Sequence, residues 1–212
     1  MSTSYPFKPI VRDGLVLCTD SYNLKSYDGV GTNINSLTTN QLIGTFSNGV
    51  GFDGKSLTFD GIDDHVHIGP LDIGTVGTWE IWVNYDSISG IDVIVGSNSA
   101  NYYMMYFTSG TFYANYGGPL GGIAYPTGLT VSRWYNILYT RNGNTHEVFI
   151  NGDSIGTFNI STSSPSIFEI LGAESTSQYF FNGKISQFKV YNRILTNVEI
   201  RQNYNALKNR FI

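Results

Sequence analysis

With 212 residues, 13% of them charged, and a net charge of −4, the chain has room for one or two domains and little means of holding nucleic acid. It has no lysine/arginine cluster to displace phosphate counterions, no apolar run near the ~20 residues of a membrane span, and a single cysteine that rules out an intrachain disulfide. Four Asp-Gly and four Asn-Gly dipeptides punctuate short runs rich in Tyr, Phe, Val, Ile and Thr, as many antiparallel turns and strands require. One all-β sandwich accommodates this length without a linker.

The first dozen residues form an extended arm, 1–12, because Pro6 and Pro9 keep it out of regular pairing. Tyr5, Phe7, Ile10 and Val11 are apolar enough to dock on the chain's own sheet or on a neighbouring protein. Tyr5, Phe7 and Ile10, together with Phe211, are therefore candidate assembly contacts. No hydrophobic signal core is present in this arm. The domain proper, 13–212, opens on Asp13-Gly14-Leu15-Val16-Leu17, a strand whose neighbour Cys18 reads as an inert buried thiol. Further strands are expected around Leu57–Phe59, Trp79–Val83, Ile137–Tyr139 and Val148–Ile150, with at least two of Trp79, Trp82 and Trp134 structural.

The densest aromatic region runs from Asn101 to Phe107 and from Phe112 to Tyr116. Alternation puts Tyr103, Met105 and Phe107 on one face and Tyr102, Met104 and Tyr106 on the other. One set must enter the core. The outward row is a ligand platform, a subunit interface or ordinary β-propensity. Gly117 to Pro126 reads as a surface loop. Tyr179–Phe181 then reads as a strand, Asn182-Gly183 as a tight turn, and Ile185, Phe188 and Val190 as the core face of the next strand. Thr196 with Glu199 forms a capping box, and Ile200, Tyr204 and Leu207 repeat at helical spacing, so a short helix spans about 197–208.

Signs of catalysis are thin. Sandwich glycosidases aim two carboxylates at one sugar, and alternate strand residues would share that face. Glu80, Glu147 and Glu169 are each followed by two apolar residues instead, and no G-x-S-x-G elbow occurs. His65 and His67 share one strand face with Asp63 nearby, a set that could hold zinc, but the plainer reading is the polar face of a strand.

Several ordered motifs resemble laminin-G-like, concanavalin A-like jelly-roll domains of the kind found in tailed-phage structural proteins. They are Asp13–Leu17, Leu57–Val66 (with Phe59-Asp60-Gly61 and Asp63-Asp64), Trp79–Val83, Trp134 with Val148–Gly152, and Phe181-Asn182-Gly183 through Glu199-Ile200. Cys18 stands where the family more often has an aromatic, and His65 where it often has Tyr. The resemblance implies a two-sheet antiparallel jelly-roll sandwich with a short C-terminal helix. It implies binding rather than catalysis, with glycan recognition as the activity. Tyr116, Tyr125 and Asn115 beside the glycine loop, with Tyr102 and Tyr106, are then the candidate carbohydrate-binding residues.

Calcium is the one cofactor the resemblance admits, with Asp63, Asp64 and Glu174 as candidate ligands. The lack of a signal core and of disulfides, together with the closing EIRQNYNALKNRF segment, fits a virion surface protein made in the host cytoplasm for decoration or host attachment. Its partners would be other virion proteins and cell-surface glycans, with self-association into a homo-oligomer a further option. Neither nucleic acid nor membrane insertion is expected. The competing expectations are a purely structural assembly protein that binds other capsid or tail subunits, and a sandwich glycoside hydrolase.

Overall fold

The computed structural model describes residues 8–39, 42–88, 90–97, 102–108, 111–114, 123–125, 128–159, 167–176 and 178–212; at 102–104, 107, 111, 112, 114 and 123–125 it describes the backbone alone. In chain order the first eight strands are β1 (Leu15–Asp20), β2 (Asn33–Asn35), β3 (Ile43–Ser47), β4 (Gly51–Phe52), β5 (Leu57–Asp60), β6 (His65–Asp72), β7 (Val76–Tyr85) and β8 (Ile91–Ser97). The next eight are β9 (Tyr102–Thr108), β10 (Thr111–Ala114), β11 (Ile123–Tyr125), β12 (Trp134–Asn142), β13 (Thr145–Ile150), β14 (Asp153–Asn159), β15 (Ile167–Leu171) and β16 (Asn182–Tyr191). Helix α1 (Asn197–Leu207) and a 3-10 turn, Lys208–Arg210, follow.

The strands pair antiparallel throughout into two sheets. One runs β14-β13-β12-β7-β16-β5-β4, with β1 also on β16; the other runs β11-β10-β9-β8-β15-β6-β3-β2. The all-β two-sheet sandwich with a C-terminal helix is the expected architecture. The core between the sheets takes Trp79, Ile81, Val83 and Tyr85 from β7, Ile137 and Tyr139 from β12, and Ile185, Phe188 and Val190 from β16.

Strand β7 is buried on its other face too, because α1 lies across the outside of the first sheet. Val11, Leu138, Phe149, Tyr191, Leu195 and Ile200 form a second apolar cluster there. The arm therefore reaches its own sheet at Val11. The helix start is the expected capping box: Thr196 Oγ1 accepts from the Glu199 backbone N–H while the Glu199 carboxylate accepts from Thr196. Arg193 also clamps Glu199 through two bonds of 2.9 and 2.6 Å and holds its carboxyl down at about 2. Cys18 is buried, and burial pushes its thiol up to about 11, so it is inert as expected.

Three local expectations fail. Asn182-Gly183 makes no turn; both residues belong to β16, and Tyr179–Phe181 is irregular. The strand position is a glycine because a Cβ there would lie 2.2 Å from the Asn84 carbonyl oxygen. By contrast Asn151 (φ 54°) and Gly152 (φ 85°) do turn, joining β13 to β14. The Gly117–Pro126 segment is not all loop, since β11 within it pairs with β10. A β-bulge between Ile185 and Gln187 further breaks the simple alternation in β16.

Candidate functional site

The outer face of the first sheet carries a polar network that the sequence patterning does not anticipate. Glu80 on β7 and Lys189 on β16 are both fully buried and 2.8 Å apart. Glu80 also accepts from the side-chain amides of Asn136 (3.0 Å) and, on its other oxygen, Asn203 of α1 (2.7 Å). Asn203 Oδ1 in turn accepts the Val11 N–H at 2.8 Å, and the Tyr191 hydroxyl donates to the Val11 carbonyl at 3.0 Å. Every oxygen of the carboxylate is thus engaged, and sheet, helix and arm are pinned together. The signal for this was a charged residue in the middle of each of two otherwise apolar central strands, Trp79–Val83 and Phe188–Tyr191.

From the last turns of α1 onward the same face becomes aromatic. Tyr204 stacks on Trp82 (5.8 Å, 10°), and Phe211 stacks on Trp82 (4.3 Å, 20°) and leans on Trp134 (4.8 Å, 44°). Each such pair is worth about 0.5–1.5 kcal/mol beyond its buried area, enough to seat the C-terminal turn. Trp82 is buried beneath these rings, whereas Trp134 and Phe211 remain half-buried at the surface.

A groove of about 370 Å³ opens beside them, walled by Tyr22, Trp134 and Phe211 and floored by Ser56, Ser186 and Lys184. Asp53, Lys55, Asn209 and Arg210 complete its rim. A second groove of about 350 Å³ lies on the other side of Trp134 and Phe211, with Arg133 and Asn151. Half-buried rings beside hydroxyl, amide and charged side chains are the chemistry that recognises a saccharide: a ring face for the sugar C–H groups, and hydrogen-bonding groups for its hydroxyls.

The groove's charges are mostly tied down. Asp53 Oδ1 accepts from the backbone N–H groups of Lys55 and Ser56 and from the Ser56 hydroxyl, and Oδ2 accepts from Lys184 Nζ at 3.0 Å. Burial alone would raise the Asp53 carboxyl, but these bonds, led by Lys184, hold it below its ordinary value. Arg210 uses Nη1 on both oxygens of buried Asp20, at 3.1 and 2.9 Å, and its guanidinium lies 5.4 Å from the Tyr22 ring centre.

The expected metal ligands divide. Asp63 and Asp64 do come together, joined by Asp60, with one carboxylate oxygen of each within 4.8 Å of the others. Asp63 and Asp64 precede β6, in the turn after β5. Asp64 Oδ2 accepts the Asp60 N–H at 3.0 Å, whereas its buried Oδ1 has no hydrogen-bond partner among the described residues. Burial first, then the neighbouring Asp60 and Asp63 charges, raise its carboxyl. A carboxylate trio with one buried oxygen unpartnered fits a hard, oxygen-seeking cation such as calcium, which Asp60, Asp63 and Asp64 could hold. Glu174 is outside that group. It is buried after β15, and neither carboxylate oxygen has a hydrogen-bond partner among the described residues.

Of the expected carbohydrate contacts, Asn115 and Tyr116 lie outside the described residues, as do the side chains of Tyr102 and Tyr125. Tyr106 is buried and stacks on its cross-strand neighbour Tyr113 (4.9 Å, 9°) on the second sheet. Met105 enters the core, which puts Tyr106 on the opposite strand face. Of the expected assembly contacts, Tyr5 and Phe7 lie outside the described residues, Ile10 is half-buried, and Phe211 packs on Trp82 and Trp134. Among the described residues no helix is long and apolar enough to cross a membrane.

A family model described as the Concanavalin A-like lectin/glucanases superfamily matches residues 59–201. No curated protein matches the chain. Among solved structures, Trypanosoma rangeli sialidase in complex with sialic acid is similar in fold, with a TM-score of 0.75 at 13% identity over 94% of this chain. The chain spans 34% of that sialidase's length. Domain 4 of AbnA, a GH43 extracellular arabinanase from Geobacillus stearothermophilus solved with arabinotriose, gives a TM-score of 0.60 at 13% identity, covering 92% of this chain and all of that one. The binding domain of Paraclostridial Mosquitocidal Protein 1 gives 0.65 at 18% identity, covering 92% of this chain and 53% of that one.

Proposed function

Because the chain belongs to the concanavalin A-like lectin/glucanases superfamily, we propose that it is a non-catalytic glycan-binding module whose sugar sits in the groove against Trp134. The observation that carries this reading is the half-buried Trp134–Phe211 ring pair, flanked on both sides by grooves rich in hydroxyl, amide and charged groups. The likeness in fold to an arabinanase domain solved with arabinotriose supports the same class of ligand. Glu80, the carboxylate of the central strand, is sealed beneath α1 by Lys189, Asn136 and Asn203, and so serves the fold rather than a substrate. Asp53 is likewise spent on four donors. These assignments favour binding over hydrolysis. The module's place on a virion surface, in decoration or host attachment, belongs to the same proposal and is supported by the resemblance of its closing segment to those of tailed-phage proteins.

A glycan array probed with the wild-type chain and with Trp134→Ala tests this. Saturable binding to a defined sugar class by the wild type, lost at least tenfold in the variant, is the expected outcome. Undiminished binding by Trp134→Ala would move the site off this face. The absence of any glycan binding at protein concentrations that detect millimolar affinity would favour a structural assembly role.

A further inference from the structure

We propose that the groove selects acidic saccharides, with Lys55 as the residue that engages the sugar carboxylate; this rests on the glycan-binding reading above. The chain as a whole carries −4, yet this groove is lined by three cations, Lys55, Lys184 and Arg210, against one lining carboxylate, Asp53. The pairing of those charges decides what is left for a ligand.

Lys184 neutralises Asp53, and Arg210 is matched by Asp20 behind it. Asp20 is itself saturated, with Oδ2 accepting from Gln187 and Arg210 and Oδ1 from the Tyr22 N–H and Arg210. Lys55 has no such counter-charge among the described residues. Its backbone is fixed at both ends, the N–H to Asp53 Oδ1 and the carbonyl to the Ser21 and Ser186 hydroxyls at 3.0 and 2.9 Å. Its backbone is thus held at the groove rim, and its exposed side chain carries an ammonium with three donors. The charge balance of the groove is one positive charge in excess.

The hydrogen-bonding balance points the same way. Both Asp53 oxygens already accept, and the Ser56 and Ser186 hydroxyls already donate inward. Among the described residues Arg210 bonds Asp20 through Nη1 alone, and its guanidinium lies beside the Tyr22 ring at the groove. A surplus of N–H donors with few open acceptors matches a ligand that brings its own anionic oxygens. The aromatic walls of Tyr22, Trp134 and Phe211 match the ring that bears them. A carboxylated pyranose meets both requirements, whereas a neutral sugar leaves the Lys55 charge unanswered.

Calorimetric titration of the purified chain with trigalacturonate and with its methyl ester separates the two levels of this reading, and 3′-sialyllactose against lactose distinguishes a uronate from a sialate source. The expected result is about tenfold tighter binding of the acid than of its neutral counterpart in at least one pair. In Lys55→Gln, at an exposed position, that preference falls to near unity, with an unchanged thermal midpoint showing that the fold is intact. The acid preference also weakens as salt rises. Equal affinity for acid and neutral sugars would overturn the acidic selectivity and leave glycan binding standing. A preference that survives Lys55→Gln would overturn the assignment to this groove. Binding of none of the four probes, or of any array glycan, would overturn both.

Discussion

Replacing Lys189 with methionine strands a buried charge. Lys189 and Glu80 are both 0% exposed, and Nζ sits 2.8 Å from Glu80 Oε1. In Lys189→Met the Glu80 carboxylate keeps two amide donors, Asn136 and Asn203, but loses its counter-charge in a site closed by α1. Removing one partner of a buried pair costs about 3–5 kcal/mol, whereas removing the charge on both is far milder. Urea unfolding should therefore show a fall of that size in Lys189→Met at unchanged slope. Adding Glu80→Gln, which removes the stranded charge and retains an acceptor for an amide, should recover about 2 kcal/mol or more. Because the same network holds α1, and α1 carries Tyr204 on to Trp82, sugar affinity should fall with stability in the single variant. A loss below about 1 kcal/mol, or a double variant that equals the sum of the two singles, would refute the idea that the pair is a coupled staple.

Gly183→Ala should destabilise by about 3 kcal/mol or more, read as a drop in the thermal midpoint, because its Cβ would meet the Asn84 carbonyl oxygen at 2.2 Å and β7 and β16 must part. Asp92, 5% exposed, has its carboxyl raised by burial from 3.8 to about 6 although the Asn182 backbone N–H donates to it. A raised carboxyl contributes stability below its unfolded value, and that contribution is lost as pH climbs through about 6. At 1.36 kcal/mol per pKa unit the loss is about 3 kcal/mol at most. Asp92→Asn should thus stabilise the protein at pH 7.5 and be near neutral at pH 3.5; an equal effect at both pH values would contradict the cause. Calcium should raise the thermal midpoint of the wild type and not of Asp64→Asn, and an equal rise in both would place any cation away from Asp60, Asp63 and Asp64.

Much of the fold is legible in the sequence because its signals are local. Thr196 and Glu199 specify the helix start within four residues, and the odd-numbered residues from Trp79 to Tyr85 mark the inner face of β7 by alternation. The failures arise where a distant partner decides. Gly183 resembles a turn residue, yet it is glycine because Asn84, on the neighbouring strand, lies against it. The carboxylate trio was half legible: Asp63 and Asp64 stand side by side in the chain, but Asp60 joins them only through the turn that follows β5. The groove was not legible at all. Tyr22, Lys55, Trp134 and Arg210 come from four separated segments, and only the docking of the C-terminal turn on Trp82 assembles them. Tyrosine density along one stretch drew attention to the second sheet, whereas the half-buried ring pair beside the grooves formed on the first.

The most direct measurement is a proton–nitrogen correlation spectrum of the three tryptophan indoles during titration with the acidic and neutral oligosaccharides. Trp134 lines both grooves, Trp82 lies beneath Phe211, and Trp79 is sealed in the core. Glycan binding in the groove predicts a saturable shift of the Trp134 signal, a smaller one for Trp82 and none for Trp79. Saturation with sugar that leaves Trp134 unmoved would contradict it.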